Sequence, residues 1–240
     1  MASRNPMSKE ILLIDAGVTG YAECRDLQTS IAQQVTAGGR NDALIFTEHT
    51  PTITLGRTAS LLNLLASQEA LANLGVAVVE SDRGGDITFH GPGQIVGYPI
   101  INLRNDRHSC DIHKYLRHLE EVIILGIHPF GLQAGRVPGL TGVWIDNTHQ
   151  STRKIAALGL KVSKWVTQHG FALNVNTDMD FFKLIIPCGI SDHGVTSMCS
   201  ELGVQVSIDD VRASLVKSFQ LVFGYDTVKI VHAADLMSGK

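Results

Sequence analysis

The chain has 240 residues, enough to bury a full core, and a formal net charge of −3 with acidic and basic residues interspersed, which offers no basic face for nucleic acid. Its hydrophobic share of 44% is spread over short runs, none near the roughly 18 residues needed to span a bilayer, so no membrane role is expected. Cys24, Cys110, Cys188 and Cys199 show neither CxxC nor the tight, repeated Cys/His spacing of a zinc site, which points away from a metal site or a disulfide framework and towards a reducing, cytoplasmic setting. Met1 to Glu10 lacks the apolar core of a secretory signal and the Arg-rich stretch of a transit peptide. No break in composition divides the chain, and residues 1–240 are expected to form a single domain.

Ile11 to Asp15 reads as a buried strand ended by Gly17, and apolar residues at Tyr21, Cys24, Leu27, Ile31 and Val35 predict a helix stopped by Gly38 and Gly39. Ala43–Phe46 and Thr52–Leu55 are strands around Glu48-His49-Thr50-Pro51, where His49 reads as a turn histidine ahead of one that orients a site. A short helix is predicted from Leu62 to Leu74 and a strand from Val76 to Val79. The stretch Arg83 to Gln94 carries Gly84, Gly85, Gly91 and Gly93, which bare the backbone as a pocket wall requires, and a strand follows from Ile95 to Leu103. Its spacing is not GxGxxG, a strand and not a helix follows it, and GxxxxGK[ST] is absent throughout, so a nucleotide site is not supported and no cofactor is expected.

Asp111 is the predicted N-cap of a helix to Leu125, with a Gly/Pro-punctuated loop expected after Gly126. His108, His113 and His118 recur in steps of five, which does not keep one helical face, so they read as solvated and not as metal ligands. Thr141 to Asp146 is a strand that pairs with Lys154–Ala157 across a polar turn. Lys154–Val162 and His169–Val175 form a hairpin-like ribbon, after which Pro187-Cys188-Gly189 sets a thiol on a turn. That position suits an exposed nucleophile, although cysteine is also a common core residue and the motif alone leaves both open. A polar loop through Asp192 and His193 leads to a final helix opened by Ser207 and stopped by Gly224. Strands alternating with helices make this an α/β chain.

Five motifs in order, Glu48-His49-Thr50-Pro51 with Thr54-Leu55-Gly56-Arg57, Arg83-Gly84-Gly85 through Thr88, His90, Gly91-Pro92-Gly93-Gln94, Lys154-Ile155-Ala156-Ala157-Leu158-Gly159, His169-Gly170-Phe171-Ala172-Leu173-Asn174 and Pro187-Cys188-Gly189-Ile190, closely resemble the octanoyl-[acyl-carrier-protein]:protein octanoyltransferase family, also called lipoate-protein ligase B. Phe89, where a tyrosine is usual, and Asp192-His193 depart from its pattern. The resemblance implies an α/β (α+β mixed) fold similar to the biotin and lipoate protein ligase catalytic domain, a mixed sheet flanked by helices. It implies Cys188 as acyl-carrying nucleophile with Lys154 beside it. It also implies an acyl pocket lined by Arg83, Gly84, Gly85, Asp86, Ile87, Thr88, Phe89, His90, Ala157, Leu158, Gly159, Gly170, Phe171 and Ala172.

The implied partners are octanoyl-acyl carrier protein as donor and, as acceptors, lipoyl domains of 2-oxoacid dehydrogenase E2 subunits and the glycine cleavage H protein. The physical logic stands beside the resemblance: a thiol with a pKa of about 8.5 is mostly protonated at neutral pH, and a nearby ammonium favours the reactive thiolate. Backbone N–H groups at Cys188 and Gly189 would then serve as an oxyanion hole. The alternatives are an ATP-dependent lipoate or biotin ligase of similar fold, a thiol hydrolase pairing Cys188 with His169 or His193, and a carrier-binding module without chemistry.

Overall fold

The computed structural model describes residues 9–104, 110–145, 152–187 and 193–232. Among these, Glu10–Thr19 (β1), Ala43–His49 (β2), Gln94–Ile100 (β6), Ala134–Gly135 (β7), Val143–Ile145 (β8), Arg153–Ser163 (β9), Val166–Asn174 (β10), Gly194–Val195 (β11) and Thr227–His232 (β12) build one mixed sheet. Its order is β12-β1-β2-β6-β10-β9-β8-β7, with β11 beside β9. β1 runs parallel to β2 and β12, whereas β2-β6-β10-β9-β8 is antiparallel. A second sheet of Thr52–Leu55 (β3), Ala77–Glu80 (β4) and Ile87–His90 (β5) stands apart, ordered β4-β3-β5.

Alternation along the central strands gives the main sheet two different faces, because successive side chains point to opposite sides. Ile95 in β6 and Phe171 and Leu173 in β10 belong to the larger core, packed with Ile112–Ile127 (α3) and Ile208–Phe223 (α5). Val96, Tyr98 and Ala172 lie in a second cluster with Tyr21–Thr36 (α1). Asp111 caps α3 as predicted, its side chain accepting from the Lys114 N–H. The helix runs two residues past the expected Leu125, to Ile127. A Cβ at Gly126 would meet Leu215 Cδ2 at 2.6 Å, so this glycine marks where α3 and α5 cross.

The single helix predicted over 62–74 is two pieces. Leu61–Asn63 is a 3-10 turn capped by Ser60, and Gln68–Asn73 (α2) is a separate helix capped by Ser67. The two serines offer backbone N–H groups a partner and so begin helices where periodicity suggested continuity. Thr88 to His90, read as part of a glycine-rich wall, is strand β5. Ile87 and Phe89 turn into a small third core with Phe182 and Ile185, leaving Thr88 and His90 on the opposite face. The β9–β10 ribbon is present, turned by Lys164 and Trp165 at positive φ (52° and 67°), the backbone of a tight two-residue hairpin. Met198–Leu202 (α4) follows β11. No helix among the described residues is long and apolar enough to cross a membrane.

Candidate active site

The second sheet lies across one face of the main one, and the space between them is a cavity of about 460 Å³, part of it continuous with solvent. Arg83, Gly85, Asp86, Thr88 and His90 line one wall, and Ala157, Leu158, Gly159, Gly170, Phe171 and Ala172 the other. Three of the expected pocket residues lie elsewhere. Ile87 and Phe89 are in the third core, and Gly84 borders an outer groove that also reaches Lys154. Tyr21, Val96, Tyr98 and His169 complete the cavity. Tyr21, Val96 and Tyr98 were not singled out from the sequence, where they pass for ordinary helix and strand apolar positions.

Arg83 is buried and braces the glycine stretch. Its guanidinium donates to Thr54 Oγ1, to the Thr54 carbonyl at 2.8 Å, to the Gly84 carbonyl and to the Asp86 carbonyl at 2.7 Å. Gly159 is required here, since a Cβ would stand 2.8 Å from the Gly84 carbonyl oxygen. Glu48 ties the following loop down by accepting from the Gly93 N–H at 2.8 Å.

Beneath the cavity sits a buried cluster of histidines and tyrosines. His49 is fully buried at the end of β2 and is not a turn histidine. Nδ1 faces the Thr19 carbonyl at 3.1 Å, so it carries the proton, and the Tyr98 hydroxyl donates to Nε2 at 2.8 Å. Burial lowers its pKa to about 4, with the Thr19 carbonyl opposing. His90 is held well below the usual histidine range by burial, then by His49 and Arg83. It stacks on Tyr21 and bonds to Gln94 Oε1 at 2.8 Å. Since Gln94 Nε2 donates to the Phe89 carbonyl and to Asn174 Oδ1, its oxygen is the acceptor and His90 Nδ1 the donor. Burial also raises the Tyr98 and Tyr21 hydroxyls, and it pushes the Cys24 thiol up to about 12, so that thiol is inert.

Lys154 stands at the other end of this wall. It is 8% exposed and shares a small recess with Thr88, Gln94, Ala157, Ala172 and Pro187. The β8–β9 register sets it opposite Trp144, and its Nζ lies 4.6 Å from the Trp144 ring centroid, a cation–π contact out of water. Gly142, at φ 137°, makes room, because a Cβ there would meet Lys154 Cε at 3.2 Å. Trp144 and Gly142 were seen in the sequence only as strand residues. His193 sets its ring edge-on to Trp144, with centroids 5.5 Å apart, whereas His169 lies at the far end of the cavity beside Asp82. Cys188 and Gly189 to Asp192 lie outside the described residues, as does His108. The described residue before the cysteine, Pro187, borders the Lys154 recess. Among the described residues no group of three acidic, histidine or cysteine side chains could hold a metal.

A family model described as the lipoyl protein ligase A/B catalytic domain matches residues 20–220. The chain is 45% identical over 227 residues to an octanoyltransferase of Koribacter versatilis, covering 95% of this chain and 90% of that relative. It is 47% identical over 210 residues to an octanoyltransferase of Rubrobacter xylanophilus, covering 87% and 91%. Among solved structures, a bi-partite lipoate protein ligase from Thermoplasma acidophilum superposes with a TM-score of 0.71 at 19% identity, covering 98% of this chain and 93% of that one.

Proposed function

The chain belongs to the lipoyl protein ligase A/B catalytic-domain family, and from that membership we propose that it moves an octanoyl group from an acyl carrier protein thioester to a lysine of a lipoyl domain. The octanoyl assignment is supported by relatives at 45–47% identity that are octanoyltransferases. The lipoyl-domain acceptor is supported by the description of the family, a lipoyl protein ligase catalytic domain. A 19% likeness speaks for the fold alone, so the ATP-dependent reading gains nothing from it.

The observation that carries the mechanism is Lys154, a lysine buried against Trp144 in a recess shared with Pro187 and Ala157, the latter also bordering the acyl cavity. The Cys188 thiolate attacks the thioester carbonyl, the bond from that carbon to the carrier sulfur breaks, and the leaving thiolate takes a proton from the Lys154 ammonium. The octanoyl chain is then a thioester on Cys188, its alkyl part in the cavity, where each buried CH₂ stabilises binding by about 0.8 kcal/mol. In the second half the acceptor amine attacks this thioester and gives its extra proton to the Lys154 amine. The amide forms, and the Cys188 thiolate leaves. Both groups return to their starting states, and no nucleotide enters the balance.

The test is intact-mass measurement after mixing with octanoyl carrier protein, followed by an apo lipoyl domain without ATP. An octanoyl adduct is expected on the wild type and absent in Cys188→Ser. An adduct that persists in that variant removes the nucleophile, and transfer that requires ATP favours the ligase. Free octanoate released without any acceptor would identify a hydrolase.

A further inference from the structure

The ring nitrogens at the floor of the cavity are bonded at both positions in His49 and at Nδ1 in His90, but His169 is left with one that is not. His169 lines the cavity and is 2% exposed. Its Nε2 lies 2.7 Å from Asp82 Oδ1, and its Nδ1 is buried with no hydrogen-bond partner. A carboxylate only accepts, so Nε2 carries the proton and Nδ1 presents a bare lone pair. Burial, outweighing the Asp82 carboxylate, keeps the ring below its ordinary pKa and therefore neutral.

The backbone supports the same reading. His169 has φ 58°, a left-handed conformation that non-glycine residues adopt at a cost and that gathers at functional positions. The residue is pinned there by its own N–H, which donates to Gln28 Oε1 at 2.8 Å. Asp82 is in turn fixed by Lys161 Nζ at 2.6 Å. His169 pairs with Leu160, towards the end of β9 away from Lys154, so its ring lies at the end of the cavity remote from the lysine.

We propose that the tail end of the acyl cavity is a hydrogen-bond-accepting subsite, in which His169 Nδ1 takes medium-chain acyl groups bearing a hydroxyl near the end of the chain. This rests on the acyl-transfer reading above. An unmodified alkyl tail leaves Nδ1 unpaired, whereas a terminal O–H satisfies it, so the pocket selects against a polar tail far less than a wholly apolar pocket would.

The experiment compares octanoyl and 8-hydroxyoctanoyl thioesters of the carrier protein with the wild-type chain and with His169→Phe. In the wild type the hydroxylated chain is expected within about threefold of octanoyl in kcat/KM, and in His169→Phe it falls at least about tenfold relative to octanoyl, the usual penalty for an unpaired buried hydroxyl. A tenfold or larger discrimination already present in the wild type, or equal losses for both substrates in the variant, overturns the proposal.

Should His169→Phe fail to fold, ¹⁵N spectra of the histidine-labelled wild type decide. The Nδ1 resonance is expected to move on adding 8-hydroxyoctanoate and to stay when octanoate is added, and identical responses refute the subsite. If neither thioester is transferred, the acyltransferase reading fails. The same titration of the two free acids then still supports or overturns the subsite.

Discussion

Replacing Trp144 with leucine and, in parallel, with phenylalanine separates the aromatic face of the ring from its bulk. The Lys154 Nζ lies 4.6 Å from the ring centroid, and both residues are buried, Trp144 at 1% exposure. A cation over a desolvated indole face gains about 2 kcal/mol. If half or more of that holds the ammonium at the recess, its loss lowers the acylation rate at neutral pH by roughly 5- to 30-fold. The assay is the rate of adduct formation by quenched-flow mass measurement across pH 6 to 10. On the proposed mechanism, displacing the cation removes the charge that favours the Cys188 thiolate. Its apparent pKa rises towards about 8.5, so the variant recovers as pH rises through that value. Trp144→Phe keeps an aromatic face and is expected near the wild type, with the cost of a smaller ring appearing in stability. A folded Trp144→Leu that acylates at the wild-type rate, or loses rate equally at every pH, refutes the reasoning.

Gly142→Ala is expected to slow acylation while leaving octanoyl binding intact, because its Cβ would press Lys154 Cε at 3.2 Å and the Ala156 carbonyl at 3.0 Å from a backbone at φ 137°. Unchanged turnover under saturating donor would contradict this. Gly170→Ala places a methyl against the Gly97 carbonyl and 2.7 Å from Pro99 Cδ, an overpacking of about 1–3 kcal/mol that should lower the Tm by about 2–12 °C in a chain of this size; a calorimetric scan reads it, and an unshifted midpoint means the strands move apart freely. The third expectation concerns acid. His49 has its folded pKa lowered to about 4, below the ordinary value near 6.5, so the unfolded chain binds the proton more readily. Its contribution is fully present above the unfolded pKa and disappears as pH falls towards the folded one. Between pH 7 and pH 5 that amounts to about 2 kcal/mol. Denaturant unfolding at the two pH values should show the loss in the wild type and a smaller one in His49→Gln, and a flat profile would show that His49 is not neutral in the fold.

The order of strands and helices was largely legible, because it rests on periodicity and on glycine stops that act locally. Residues 62–74 escaped, since Ser60 and Ser67 cap two separate turns and a cap competes with an apolar pattern at short range. Thr88 and His90 were read as wall residues and do face the cavity. Ile87 and Phe89 face away because the segment is a strand, whose alternation a glycine-rich reading hides. The contacts among the supporting residues were hidden for another reason. His49, Tyr98 and Tyr21 meet only when β2, β6 and α1 are brought together, and Trp144 meets Lys154 only through the β8–β9 register. Nothing in the linear spacing of these residues encodes those contacts.

A polar chain joins the two ends of the site. His90 donates to Gln94, Gln94 to Asn174 at 2.9 Å and Asn174 to the Thr196 carbonyl at 3.0 Å, while the Thr196 N–H donates to the Lys154 carbonyl at 2.9 Å. Every link is buried, where an unpaired member would cost about 1–3 kcal/mol, so the chain is kept whole or lost together. Thr196 Oγ1 continues it to Glu201, which also receives Arg153 from the residue beside Lys154. The backbone that carries the lysine is therefore held by the same bonds that orient His90 on the cavity wall. A substitution that frees Gln94 from Asn174 should disturb the pocket and the lysine together, whereas one that removes Trp144 should disturb the lysine alone.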